Sequence, residues 1–296
     1  MYTRQVTIRL HNRDAIRVQT HCPETDLPFD QFGPLLGLET EDTDGTGGPP
    51  DSELVLPGNA PDDVEWHPLA KTTSMGLSPD GGHLLLRCRE VRPRNLRMYC
   101  LYTWQTGLIL AGENAILRGA DVLLVHCSVL ETERGAVVLF GESGMGKSTA
   151  SARWRALGGK CVSDDMALLD FSGGDQICVR RMPTWSACKE GKNEWNYPAA
   201  EELPLAGVLA LGRSETGHDE IVPLSAAQYF AQCYRSMFYW NLFYTEGLQE
   251  EMKTKLTERI RRFTERITGN YPPRALLTVL AGEDLRNVVE KYLQTQ

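Results

Sequence analysis

The sequence predicts an α/β fold, with a P-loop domain that follows a β-rich N-terminal domain and ends in a helical C-terminal region. A glycine-rich motif at 141–149 lies between an apolar run typical of a buried strand and a stretch typical of a helix. After about residue 115, short apolar strands alternate with helical stretches, as in an α/β core. The last third has apolar residues three or four positions apart, as on one face of a helix. We therefore expect two domains, 1–114 and 115–296.

The N-terminal domain is predicted to be rich in strands. Apolar residues alternate with polar ones at 5–10, which favours a half-buried strand, and further strands are expected at 84–87 and 98–104. The stretch 39–63 is rich in Gly, Pro, Asp and Thr. Because it can bury little apolar surface, it is predicted to be a mobile acidic loop.

The second domain is predicted to combine strands with helices. Its expected strands lie at 121–130, 136–140, 161–171, 207–211, 221–224 and 275–280. Its expected helices lie at 147–157, 225–244, 247–269 and 284–293. The helix within 226–244 carries many aromatic side chains, which indicates core packing plus a homo-oligomer interface, or alternatively a groove for a peptide side chain.

Charge and hydropathy exclude several classes of protein. The net charge is −8 at pH 7, so the chain is not expected to bind nucleic acid, which needs clustered Lys and Arg. There is no run of 18 apolar residues and the first residues lack an apolar secretion signal. We expect no membrane association and a cytoplasmic location. The eight cysteines form no CxxC pair, which favours reduced, buried thiols over a zinc site.

The motif G-x-x-x-x-G-K-[ST] is matched in full and predicts a cradle for nucleotide phosphates. Glycines let successive main-chain N–H groups point inward, and the following helix contributes the positive end of its dipole. Lys147 can reach the phosphates, and the Ser148 hydroxyl can bind Mg²⁺. ATP and Mg²⁺ are the expected cofactors. The predicted nucleotide-binding residues are Gly141, Glu142, Ser143, Gly144, Met145, Gly146, Lys147, Ser148 and Thr149.

Two further features could add chemistry to binding. His126 lies in the apolar strand that precedes the motif, and Asp164 and Asp165 are adjacent in the strand predicted after the motif's helix. Burying two like charges side by side costs free energy unless a cation such as Mg²⁺ is near. Read alone, each feature also fits a structural role, as a hydrogen-bonded strand histidine or a solvated turn.

His126, the motif and the Asp164–Asp165 pair occur in the same order and at similar spacing as in the HPr kinase/phosphorylase family, which the chain resembles from about residue 115 onward. The resemblance implies the HPr-kinase-type P-loop fold, similar to phosphoenolpyruvate carboxykinase, and phosphorylation of a serine on a protein. It implies that Lys147 and Ser148 hold phosphates and Mg²⁺, that Asp164 accepts the hydroxyl proton, that Asp165 assists the metal, and that His126 lies beside the transferred phosphoryl group.

The chain departs from the bacterial regulators of that family at Thr149, where they carry an acidic residue. Phosphorylation of the sugar-transport phosphocarrier itself is therefore not expected. The whole chain is most similar to the ScmC family of SynChlorMet cassette proteins, an HPr-kinase-like branch found in peptide-maturation gene cassettes. The segment 180–186 resembles a stretch of that branch. Within it, Arg180 and Arg181 are predicted to bind a substrate carboxylate or the phosphoryl group, unless they form a solvated strand end.

The resulting hypothesis is a phosphotransferase: an ATP- and Mg²⁺-dependent serine kinase that acts on a peptide or small protein, such as a precursor peptide of a maturation cassette. Three alternatives stay open from the sequence. One is a kinase of the same fold that acts on a metabolite or amino acid. The second is a non-catalytic, nucleotide-gated scaffold in the cassette, which the departure at Thr149 keeps open. The third is a plain ATPase.

Overall fold

The computed structural model describes residues 4–9, 15–20, 39–41, 52–55, 62–68, 73–77, 84–88, 112–113, 115–182, 202–242 and 250–294. The chain divides into two compact units. The first comprises Met1–Val122, Ala187–Ala200 and Asn241–Leu256, and the second comprises Leu123–Ser186, Glu201–Trp240 and Thr257–Gln296. The domain boundaries drawn from the sequence stay a prediction.

The first unit contains a sheet in which seven strands are described, in the order β3-β1-β2-β4-β7-β6-β5. The β1–β2 pair is antiparallel, whereas β4 runs parallel to both β2 and β7. Val64 and Leu85 are buried together beside this sheet. The strands are β1 (Arg4–Arg9), β2 (Ala15–Thr20), β3 (Glu39–Glu41), β4 (Ser52–Val55), β5 (His67–Pro68), β6 (Thr73–Leu77) and β7 (Leu84–Cys88).

The structure differs from the predicted acidic loop 39–63 in two segments. Glu39–Glu41 pairs with β1, and Ser52–Val55 lies between β2 and β7. Ladder hydrogen bonds to neighbouring strands outweigh the weak strand preference of the surrounding polar sequence, because strand formation depends on context more than on composition. The parts of that loop at 42–51 and 56–61, and the strand predicted at 98–104, lie outside the described residues.

The second unit is a mixed α/β structure with a large sheet. Its strands are β8 (Val122–Thr132), β9 (Gly135–Phe140), β10 (Lys160–Ser163), β11 (Met166–Asp170), β12 (Cys178–Arg181), β13 (Leu203–Arg213), β14 (Glu220–Pro223) and β15 (Arg274–Thr278). Its helices are α1 (Lys147–Ala156), α2 (Ala226–Leu242), α3 (Glu250–Asn270), which begins in the first unit, and α4 (Leu285–Gln294). The predicted end of the aromatic helix, 243–244, lies outside the described residues.

The centre of this sheet is formed by parallel strands. β13 runs parallel to β9 on one side and to β15 on the other, with Ala210 level with both Phe140 and Ala275. β8 is antiparallel to β9 and to β10. Side chains of α1 and α4, including Trp154 and Val289, are buried against these central strands. Burial of the sheet explains why β9 and β13 read as continuous apolar runs instead of alternating ones.

The single strand predicted at 161–171 is two strands, β10 and β11, separated by Asp164 and Asp165. The Ser163 hydroxyl accepts a hydrogen bond from the Met166 N–H at 3.2 Å and donates one to the Met166 carbonyl at 2.5 Å. A serine side chain that bonds to the main chain in this way stabilises a turn in place of a continuous ladder. The two aspartates are therefore presented by a tight turn.

Candidate nucleotide-binding site

The glycine-rich motif forms the loop between the end of β9 and the start of α1. Gly144 and Gly146 have φ values of +84° and +100°, in the left-handed region that favours glycine. A Cβ at either position would meet no atom within 4 Å, so this side of the loop is open. Main-chain N–H groups at a helix N-terminus beside an open loop suit an anion. The predicted strand–loop–helix context is confirmed.

Lys147, the first residue of α1, is 6% exposed. Its ammonium group donates to the carbonyl oxygens of Gly141 at 2.6 Å and Glu142 at 3.1 Å. Burial lowers the pKa of Lys147, and the neighbouring side chains of Cys127, Asp165 and Glu142 oppose that shift. The ammonium group of Lys147 and the main-chain N–H groups of the loop together form a set of donors that matches phosphate oxygens.

The register between β8 and β9 places His126 beside the loop. The antiparallel pair of Cys127 with Phe140 places His126 next to Gly141, where the loop begins. The His126 ring stacks on Tyr239 of α2, with the ring centroids 4.5 Å apart and 23° between the ring planes. Two elements therefore fix the position of this imidazole beside the loop.

The turn that carries the two aspartates is bonded to the same stretch of β8. The Cys127 N–H donates to the Asp165 carbonyl at 3.1 Å, and the Ser128 hydroxyl donates to the Asp164 carbonyl at 3.3 Å. His126 Nδ1 lies 3.3 Å from Asp165 Oδ1. The structure thus brings together the three features that the sequence singles out.

The two carboxylates differ in their surroundings. The charge of Asp165 acts on the ammonium group of Lys147. Asp164 is only 8% exposed and acts on Cys161, whose thiol pKa is raised to about 11, mainly by burial. Asp165 is therefore the aspartate whose charge acts on the lysine of the phosphate loop, and Asp164 is the more buried of the two.

The side chains beside the loop fit a magnesium ion that is bound partly by the protein and partly by nucleotide phosphates. In the part of the chain that the structure describes, no group of three or more His, Cys, Asp or Glu side chains is arranged to hold a metal ion. Mg²⁺ does not need such a cage, because it is usually bound by one or two carboxylates together with substrate phosphates and water. The hydroxyl of Ser148 and the carboxylate of Asp165 are donors of that type.

Arg180 and Arg181 lie on β12, paired with Leu168 and Ala167 of β11. The guanidinium group of Arg180 forms an ion pair with Glu202. Arg181 is 5% exposed. A substrate-binding role for these two arginines stays a prediction.

Sequence reasoning missed three side chains around the loop. Arg213 at the end of β13 donates to the Gly144 carbonyl at 3.3 Å. Arg235 of α2 forms an ion pair with Glu142 at 2.8 Å, and both side chains are two-thirds exposed. Tyr239, four residues later on α2, stacks on His126. The register of parallel strands could have indicated Arg213, whereas the contacts of α2 depend on tertiary packing.

Comparisons with known proteins give one family match. A family model described as "SynChlorMet cassette protein ScmC" matches residues 101–293, more than half of the chain. This bears out the resemblance seen in the sequence. The solved Hpr(Ser) kinase/phosphatase from Coxiella burnetii is 18% identical, with a TM-score of 0.25 over 34% of this chain and 70% of that chain. No curated protein matches the chain. Over the described residues, no helix has the length and apolar character needed to cross a membrane.

Proposed function

This chain belongs to the ScmC family of SynChlorMet cassette proteins, and from that premise we propose that it is an ATP- and Mg²⁺-dependent kinase with an HPr-kinase-type P-loop fold. Its acceptor is the serine hydroxyl of a peptide or small protein of the cassette. One observation carries the proposal: a phosphate loop with its lysine, an aspartate pair and a histidine converge on one edge of the sheet. Phosphoryl transfer needs these parts, because its catalysis is mainly positioning and charge neutralisation.

The phosphates are held by the main-chain N–H groups of 141–149 and by the ammonium group of Lys147. The open faces at Gly144 and Gly146 leave room for them. Ser148 and Asp165 hold the magnesium ion, which neutralises phosphate charge when bound. The electrostatic coupling of Asp165 to Lys147 supports this role, because the metal and the ammonium group both serve the same phosphates.

Asp164 is the proposed base. The acceptor oxygen forms a bond to the terminal phosphorus as the bond from that phosphorus to the ADP oxygen breaks, and the hydroxyl proton passes to the Asp164 carboxylate. Asp164 is 8% exposed, and its main-chain carbonyl is bonded to Ser128 of β8, so the residue keeps a defined position for this transfer. His126 orients Asp165 through the contact between Nδ1 and Oδ1.

The decisive experiment incubates the protein with radiolabelled ATP, Mg²⁺ and the peptides encoded beside its gene. We expect label on a serine of one peptide. Asp164→Asn should bind ATP with the wild-type dissociation constant and transfer label at least about 100-fold more slowly, in the range for loss of a general base. Transfer by Asp164→Asn at the wild-type rate would show that another group is the base.

Two other outcomes distinguish the alternatives. Label on a free amino acid or metabolite, with none on any peptide, would indicate a small-molecule kinase. Tight binding of ATP with no transfer to any cassette component would indicate a nucleotide-gated scaffold. Either result would overturn the peptide kinase proposal.

A further inference from the structure

We propose that Arg213 binds the terminal phosphate of the nucleotide and makes the site prefer a triphosphate over a diphosphate. This inference rests on the proposed function and adds a phosphate-binding residue that lies outside the glycine-rich motif. It is carried by the register of the central strands, the direction of the side chain and the charges around it.

The register places Arg213 beside the loop instead of beside β9. Ala210 of β13 is level with Phe140, the last residue of β9. β13 continues for three more residues, to Arg213, alongside the point where the neighbouring chain turns into the loop. Ligands of open α/β sheets bind at the carboxyl ends of parallel strands, which is the edge that Arg213 occupies.

The side chain of Arg213 lies on the face of the sheet that carries the loop. Residues two apart in a strand share a face, so Arg213 points to the same side as Leu211. A Cβ at Gly141 would lie 3.3 Å from Leu211 Cβ, which shows that this side meets the loop. The hydrogen bond from Arg213 Nη2 to the Gly144 carbonyl agrees with that direction.

The charges near the loop distinguish Arg213 from the other arginines there. Arg153 is saturated by two hydrogen bonds to the Asp219 carboxylate, and Arg235 is paired with Glu142. Arg213 donates to a neutral carbonyl, and no carboxylate of the described residues lies within ion-pair distance of it. A guanidinium group bonds more strongly to a phosphate oxygen than to a neutral carbonyl, because both partners are then charged.

The terminal phosphate is the expected partner because of where Arg213 meets the loop. Gly144 precedes the first residue of α1 by three positions, so Arg213 reaches the part of the loop away from the helix N-terminus. The helix dipole acts at the other end, whereas the ammonium group of Lys147 is bonded to Gly141 and Glu142, at the same end of the loop as Arg213. A cation at the end of the loop away from the helix therefore adds most to the affinity for a ligand that carries one more negatively charged phosphate.

The test measures binding alone, by calorimetric titration of the full chain with Mg²⁺ and either ADP or a non-hydrolysable ATP analogue. We expect Arg213→Met to weaken the triphosphate analogue about 10- to 100-fold, the loss of a charged hydrogen bond, and ADP less than about threefold. Arg213→Lys should recover part of the loss. Because Arg213 is exposed, the variants should unfold at the wild-type temperature.

Two comparison variants make the result specific. Arg235→Met removes the same charge from another side of the loop and should leave the ratio of the two affinities unchanged. Arg261→Met removes an exposed charge from the same unit, where Arg261 is paired with Glu265, and should change neither affinity. An equal loss for both nucleotides in Arg213→Met, or no loss, overturns the inference. If the wild-type chain binds no nucleotide, the proposed function itself fails.

Discussion

His126 and Asp165, 39 positions apart in the chain, meet through both side chain and main chain. His126 Nδ1 lies 3.1 Å from the Asp165 carbonyl oxygen and 3.3 Å from its carboxylate Oδ1. Because Tyr239 of α2 also stacks on the His126 ring, contacts with two parts of the chain restrain the imidazole. The contact fixes the orientation of a carboxylate whose charge acts on Lys147.

We predict that His126→Ala lowers the apparent affinity for Mg²⁺ in the transfer reaction more than it lowers the affinity for the nucleotide. Loss of a residue that orients a metal-binding carboxylate typically costs 10- to 100-fold in metal affinity or activity. The Mg²⁺ concentration for half-maximal transfer should therefore rise by about that factor, as measured in a magnesium titration of the kinase assay. His126→Asn, which keeps a donor near Asp165, should retain more activity. An unchanged magnesium dependence in His126→Ala would contradict the positioning role.

We predict that Lys147→Ala weakens ATP binding about 10- to 100-fold, because it removes a charged hydrogen bond to phosphate. Calorimetric titration with Mg²⁺-ATP measures the change. Lys160→Ala is the matched control, because Lys160 has a 70% exposed side chain on β10, where it pairs with the partly buried Glu131. Equal effects of the two substitutions would show that ATP affinity depends on the net charge of the protein and not on the position of Lys147 in the loop.

The buried ammonium group also predicts a pH dependence of nucleotide binding. Burial lowers the pKa of Lys147 from its ordinary value of 10.5. Only the protonated form carries the charge that attracts phosphate, so ATP affinity should fall as pH rises, starting below pH 10.5. Titrations at increasing pH should show this fall in the wild type and a flatter profile in Lys147→Ala. Parallel profiles for the two proteins would contradict it.

Much of the second unit could be predicted from the sequence because its signals are local. The apolar run at 136–140, the glycines that follow it and the helix after Lys147 are neighbours in the chain, and the structure has β9 and α1 there. The break at Asp164 was missed because it depends on hydrogen bonds between Ser163 and the main chain of Met166. Composition alone favours a continuous strand there.

Long-range pairing explains the other features that the sequence could not predict. Arg153 and Asp219 are 66 positions apart, and nothing in their local sequence links them. Arg213 reaches the loop only because β13 is longer than β9, and its length follows from pairing with β15 on its other side. The order of His126, the loop and the aspartates was readable because it resembles a known family.

We predict that the pair of Arg153 and Asp219 stabilises the second unit. The two side chains are 9% and 1% exposed, and their closest atoms lie 2.6 Å apart. Removing one partner of a buried pair leaves an uncompensated charge, so Asp219→Ala should lower the free energy of unfolding by about 3–5 kcal/mol. Urea unfolding measures this change. Glu265→Gln, which breaks the exposed helical pair with Arg261, should cost less than about 0.5 kcal/mol.

The contribution of this pair to the free energy of unfolding should decrease as the pH falls. Burial by itself raises the pKa of Asp219, but hydrogen bonds from Arg153, Thr278 and the Val279 N–H outweigh it and lower the pKa. A depressed carboxylate pKa adds stability above the ordinary value of about 3.9 and loses it as pH falls toward the folded-state pKa. The difference in unfolding free energy between the wild type and Asp219→Asn should therefore shrink below about pH 4. A difference that stays constant with pH would contradict it.

The packing of α1, the helix that follows the phosphate loop, depends on the close approach of Gly159 to Trp154. A Cβ at Gly159 would lie 2.2 Å from Nε1 of Trp154, a side chain that is 1% exposed in the core beneath the central strands. Because Trp154 is confined on all sides, Gly159→Ala should overpack this site and lower the free energy of unfolding by about 1–3 kcal/mol. Gly269→Ala is the control, since a Cβ there meets no atom within 4 Å inside α3. It should stabilise the protein by about 0.4–1 kcal/mol, because alanine restricts the unfolded chain and favours the helix. Urea unfolding of both variants should give opposite signs, and a neutral Gly159→Ala would show that the Trp154 ring can move.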